Sequence, residues 1–180
     1  NLHSIAREPP DHILVLAGDH VYKMDYAEML AFHQANDAEV TVGVIEMDEP
    51  RAQGFGIVEA DAQGRIIGFE EKPAQPKTIP GQPGLCYVSM GIYLFNRPLL
   101  EAVLAEDAKR PESRHDFGRD VIPAVARDVR VMAYNFRDEN KQASKYWRDI
   151  VTLDAYYDAN IDLVQVSPQF NLYDRDWPIR

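Results

Sequence analysis

The chain has 180 residues, enough for one sizeable core, and its 46% hydrophobic and 27% charged content is an ordinary globular balance. A formal net charge of −10 excludes a nucleic-acid-binding surface, which needs clustered Lys and Arg, but not a phosphorylated ligand held by a few placed cations and a divalent metal. No apolar run approaches the roughly 20 residues of a membrane span, and Asn1 to Ser4 have neither the basic region nor the apolar core of an export signal, so export is not expected. The lone Cys86 excludes an internal disulfide, so a cytoplasmic setting without nucleic-acid or membrane partners is expected.

Ile13 to Ala17 is a continuously apolar run ending at Gly18-Asp19, which predicts a strand buried on both faces, as in parallel sheets. Asp25, with Glu28 three residues on, caps a helix over 26–36, whose apolar positions include Tyr26, Met29, Leu30 and His33. Val40 to Ile45 is a second buried strand, completing a βαβ unit. Residues 55–60 and 66–70 flank the turn Asp61-Ala62-Gln63-Gly64 and predict a hairpin. Prolines and glycines over 73–84 predict an irregular loop.

Strand character returns over 87–95. Pro98 opens a helix to about Ala108, and another spans 117–126 with a kink or end at Pro123. A strand over 129–136 and a periodic helix over 152–166 follow, the latter with Leu153, Tyr156, Tyr157, Ile161 and Val164 on one side. The predicted class is α/β, a mostly parallel Rossmann-like sheet with helices on both faces and an inserted mixed hairpin region. Residues 1–166 form the domain, and 167–180 read as a linker leaving it.

Asp19 stands just beyond a strand's carboxyl end, where open α/β sheets place ligands, although Gly-Asp is also an ordinary turn. Asp149 precedes the 152–166 helix, where capping is the plain reading and a metal site shared with Asp19 the sharper one. Pro73 predicts an extended Lys72, so that Glu71 and Lys72 splay around a ligand, carboxylate for hydroxyls and ammonium for phosphate. Gly91, within Ser89-Met90-Gly91, marks a bulge or a close backbone approach. Asp116 reads as the N-cap of the helix that follows it, and His115 has no second ligand at metal spacing.

These segments resemble the sugar nucleotidylyltransferase family, and within it the ADP-glucose pyrophosphorylase branch. The resemblance is carried by Leu16 to Asp25 (LAGDHVYKMD), Phe69 to Pro73 (FEEKP), Ser89 to Tyr93 (SMGIY), His115 to Gly118 (HDFG), Tyr146 to Asp149 (YWRD) and Tyr173 to Arg180 (YDRDWPIR). It implies a nucleotide-diphospho-sugar transferase fold and adenylyl transfer from ATP to glucose 1-phosphate, giving ADP-glucose and pyrophosphate. Asp19 and Asp149 would then hold Mg²⁺ and be the catalytic pair. Lys72 would bind the sugar phosphate and Glu71 a sugar hydroxyl, with Gly56, Ser89, Asp116, Phe117 and Trp147 shaping the glucose pocket.

The family's glycine-rich nucleotide loop would precede residue 1 and its C-terminal β-helix domain would follow Arg180. The resemblance therefore makes the chain an internal piece, incomplete at the N-terminus and inactive by itself, of an allosteric enzyme expected to be a homotetramer. Ile150-Val151 stands where the family usually has Val-Gly, and a β-branched residue does not readily adopt positive φ. Two alternatives stay open: a sister enzyme using UTP, dTTP or GTP, and a non-catalytic regulatory subunit of the same fold.

Overall fold

The computed structural model describes residues 9–138, 143, 144, 146–170 and 172. Its centre is a six-stranded mixed sheet. Strands β1 (His12–Leu16), β3 (Val40–Asp48) and β7 (Val131–Asn135) run in one direction. β6 (Leu85–Asn96) lies between β1 and β3 and runs against both, and β3 pairs with β7 in parallel. The βαβ unit is therefore present with a foreign strand inserted between its two strands. The predicted hairpin, β4 (Gly56–Ala60) and β5 (Ile66–Glu71), joins the sheet through β4 on β6. Its turn closes as expected: Gly64 takes φ +78°, and the Asp61 carboxylate accepts the amides of Gln63 and Arg65.

Alternation along β6 explains the two layers. Tyr93 and Phe95 face a cluster with Leu100, Ile122 and Val125, whereas Met90, Ile92 and Leu94 face a second cluster with Met29 and Trp147. Helix α1 (Tyr26–Ala35) and the short α2 (Glu49–Ala52) cover this second face. Helix α3 (Arg97–Asp107), a π-helical turn (Phe117–Val121) and α4 (Ile122–Val125) cover the first. Fully buried side chains such as Phe95 and Ile92 each contribute about 1.5–3 kcal/mol of transfer free energy. Cys86 is one of these core residues, and burial pushes its thiol pKa up, as for an inert buried cysteine.

Four expectations change in detail. β1 is half-buried rather than buried on both faces, because β6 is its one partner among the described residues. Pro123 marks a change of helix type: the chain makes a π turn and then a single α turn, and a proline near that helix's start forfeits no internal bond. The last helix, α5 (Leu153–Leu163), is capped by Thr152, whose hydroxyl accepts from the Ala155 amide, and not by Asp149. Its predicted apolar side, with Leu153 87% and Val164 76% exposed, is largely uncovered among the described residues. Most of the 167–180 linker, including the whole of Tyr173 to Arg180, lies outside the described residues.

Helix α1 is tied to the sheet by a buried polar network. His33 Nδ1 lies 2.8 Å from Thr41 Oγ1 and Nε2 lies 3.1 Å from Asn96 Oδ1, while the Asn96 amide donates to the Ala38 carbonyl. That arrangement makes Nε2 the donor and Nδ1 the acceptor of a neutral ring. Burial lowers the His33 pKa, in the same sense.

Candidate active site

The chain after β1 turns through Gly18-Asp19 into β2 (His20–Tyr22), a three-residue strand with no clear signal in the sequence. β2 pairs antiparallel with β8 (Trp147–Asp149), so that Asp149 stands opposite His20 and Trp147 opposite Tyr22. The Ile150 amide extends the ladder by donating to the Asp19 carbonyl at 3.1 Å. Directly opposed residues share a face of a ladder, which places the Asp149 side chain beside that of His20, and the turn before β2 brings Asp19 to the same point. Each of the three offers one ligand atom, and these atoms lie within 4.8 Å of one another. The two aspartates, remote in sequence, thus meet at one point.

Two carboxylates at that separation fit a hard divalent cation, which needs few protein ligands when phosphate oxygens complete its shell. His20, with Nε2 3.4 Å from an Asp19 oxygen, is a neighbour that sequence reasoning passed over, although its place beside Asp19 was visible. Asp149 is held by its own turn, accepting the Val151 amide at 3.2 Å. Val151 is not among the residues with positive φ and is 67% exposed, so a side chain is accommodated there.

Behind the ladder, Trp147 packs edge-on against His20 and Phe55, with ring centroids 4.9 and 5.5 Å away. The buried Trp147 Nε1 and His20 Nδ1 have no hydrogen-bond partner among the described residues. Arg148 and Tyr146 both reach Asp162 of α5, at 2.6 and 3.1 Å, fixing the strand from its other side.

Gly91 sits in the predicted bulge. Between the pairs Val42↔Tyr93 and Val44↔Ser89, β3 advances two residues while β6 uses four. Gly91 takes φ +67°, and a Cβ there would meet Ala17 Cβ at 2.9 Å and His20 at 3.2 Å. Glycine at this point lets the loop carrying Asp19 rest on the sheet.

The second half of the site gathers at the end of β5. Glu71 pairs with Gly56 across the hairpin, and a Cβ on Gly56 or on Gly118 would come 2.9 or 3.0 Å from Glu71 Oε2. The Glu71 carboxylate therefore runs through a slot between two glycines. Burial raises its pKa and the Asp116 charge adds to that, while Lys72 and Arg119 oppose it. Asp116 caps the π turn as expected, accepting the Arg119 amide at 2.8 Å. Phe117 stacks on Tyr93 at 5.5 Å and 17°.

Tyr93 lies 3.4 Å from Ser89, and its pKa is pushed up to about 12 by burial, with the charges of Asp116 and Glu71 adding. It belongs to the site although the sequence reading treated it only as part of a strand motif. Lys72 is not extended but left-handed, with φ +48°, and its ammonium lies 3.9 Å from Glu71 Oε1 rather than splayed from it. Its amide donates to the Phe55 carbonyl, which ties Lys72 through Phe55 to Trp147 and the aspartate pair.

A model of the nucleotidyl transferase family matches residues 2–166. The chain is 48% identical over 180 residues to a glucose-1-phosphate adenylyltransferase of Rhodopirellula baltica, covering 100% of this chain and 40% of that protein. It is 49% identical over 183 residues to one from Paramagnetospirillum magneticum (99% of this chain, 43% of the relative), and 47% identical over 181 residues to one from Koribacter versatilis (100% and 43%). It thus spans about two-fifths of the length of the curated relatives it matches. On the match over residues 2–166, and with a mixed α/β sheet bearing helices on both faces, the chain belongs to the nucleotidyl transferase family.

Proposed function

We propose that this chain supplies the sugar-phosphate and metal side of a glucose-1-phosphate adenylyltransferase, in which ATP and glucose 1-phosphate give ADP-glucose and pyrophosphate. The observation that carries this reading is the β2–β8 ladder, which brings Asp149 to Asp19 and whose Trp147 packs on Phe55, the residue that holds the Lys72 amide. The names of the relatives, at 46–49% identity across nearly the whole chain, support the choice of nucleotide and sugar.

Asp19 and Asp149 would hold Mg²⁺, which would neutralise phosphate charge as a phosphate oxygen of the sugar attacks the α-phosphorus of ATP and pyrophosphate leaves. The protein's own part is positioning. Lys72 offers its ammonium to the sugar phosphate. Glu71 and Asp116 accept from sugar hydroxyls, and Phe117, Ser89, Tyr93, Trp147 and the Gly56 backbone bound the ring. Residues 1–166 act as this part of the catalytic domain and 167–180 as a linker, within a homotetrameric, cytoplasmic, allosteric enzyme of carbohydrate storage. No helix among the described residues is long and apolar enough to cross a membrane. With Val151 in ordinary backbone geometry, the reading as a non-catalytic subunit loses its one sequence argument.

Calorimetry with glucose 1-phosphate, with and without Mg²⁺, tests the reading on this chain and on Lys72→Ala. Weak binding that the substitution abolishes is expected. Binding of equal strength in both proteins would overturn the assignment of Lys72 and the half-site built around it.

A further inference from the structure

The turn that delivers Asp116 and Phe117 is held by a side-chain network centred on Asp107. Asp107 ends α3 and is 5% exposed. One of its oxygens accepts the Ser113 hydroxyl and the other His115 Nδ1, each at 2.7 Å. These two hydrogen bonds keep the carboxyl below its usual range. The Ser113 hydroxyl oxygen in turn accepts the His115 backbone amide at 3.0 Å. One residue to either side, the amides of Arg114 and Asp116 both donate to Asp120 Oδ2 at 3.2 Å. Three consecutive amides are thus satisfied by side chains rather than by regular structure.

His115 itself is left-handed, with φ +58°, a conformation a non-glycine residue keeps only when its surroundings impose it. The next residue is extended and caps the π turn, which carries Phe117 onto Tyr93 and Gly118 against Glu71. The direction in which Asp116 leaves His115 therefore fixes two walls of the sugar site.

We propose that Asp107, Ser113 and His115 form a positioning clamp that holds the left-handed turn at His115 and so sets the affinity of the site for the sugar phosphate. None of the three is among the groups assigned above to the sugar phosphate. This inference rests on the proposed sugar-phosphate site and adds to it the means by which Asp116 and Phe117 are aimed.

The full-length enzyme carrying Asp107→Asn or Ser113→Ala tests it, with Ser113→Thr as the variant that retains the hydroxyl. Hydrogen exchange of the 113–117 amides, measured without substrate, is expected to quicken in the first two variants and stay slow in the third. The KM for glucose 1-phosphate is expected to rise about tenfold in those same two, with kcat and the KM for ATP within about twofold of wild type, the pattern of lost substrate positioning rather than lost chemistry. An unchanged KM for glucose 1-phosphate despite faster exchange would overturn the proposal. So would equal losses in kcat and both KM values, the mark of general damage. Failure of the functional reading itself shows separately, as wild-type enzyme that does not use glucose 1-phosphate.

Discussion

The amide of Lys72 donates to the carbonyl of Phe55 at 3.1 Å, and the ring of Phe55 packs on Trp147. Lys72 is thus held at the end of the hairpin by a residue that also touches the strand of Asp149. The ammonium is exposed while the backbone beneath it is fixed.

Lys72 keeps φ +48° in spite of the proline that follows it, a position where L residues are strained by about 1–2 kcal/mol. Lys72→Ala retains that strain and Lys72→Gly relieves it. Both should lose glucose 1-phosphate binding, and denaturant unfolding should show the glycine variant about 1 kcal/mol more stable than the alanine variant. Equal stability of the two would show that the surroundings do not impose the left-handed backbone.

Val151→Gly should change little at the aspartate pair. Val151 has no positive φ, and what it gives Asp149 is a backbone amide that glycine also supplies. Mn²⁺ affinity, followed by paramagnetic resonance in the full-length protein with ATP, should stay within about twofold. Unfolding free energy should drop by about 0.4–1 kcal/mol from added chain entropy. A large gain in metal affinity would show that valine constrains the site after all.

Gly56→Ala and Gly118→Ala should each push Glu71 and Phe69 aside, because the new Cβ would lie 2.8–3.0 Å from Phe69 or Glu71 atoms in the first case and 3.0 Å from Glu71 in the second. Overpacking of this kind costs about 1–3 kcal/mol of stability. Glucose 1-phosphate affinity should fall by about an order of magnitude, since a hydroxyl acceptor is displaced. Gly54→Ala, whose Cβ meets nothing within 4 Å, is the control expected to bind normally.

The His33 network predicts an acid-sensitive core. The folded pKa lies below the ordinary 6.5, so the unfolded chain takes up the proton first as pH falls. Stability should be fully present above about pH 6.5 and decline through the window between that value and the lower folded one. Thermal unfolding from about pH 7.5 to 5.5 should show this decline, and His33→Gln should flatten it despite a lower starting stability. An equally steep decline in the variant would move the effect to another group.

Much of this fold was legible because its strands and helices carry strong periodic signals. Val40 to Ile45, the Asp61–Gly64 turn and the Pro98 helix start all lie close to where the pattern puts them. The site was legible as separate motifs and not as a site. Its joining element is a ladder of two three-residue strands, too short to show alternation and far apart in the chain. The glycine slot around Glu71 escaped for a similar reason, since Gly56 and Gly118 come from different elements and only packing shows what a Cβ would strike. The left-handed backbone at Lys72 ran against the local rule for a residue before proline, because the Phe55 carbonyl fixes its amide.

The antiparallel β6 also dictates an order of assembly. A ribosome that has released everything before Leu85 has released β1 and β3 without a native partner among the described residues, and only the β4–β5 hairpin can close by itself. The sheet crystallises around one late strand, at the expense of long loop closures that slow folding and leave apolar edges open meanwhile. The strand of Asp149 is made later still. Asp19 therefore meets Asp149 only after every strand of the central sheet between them has been made.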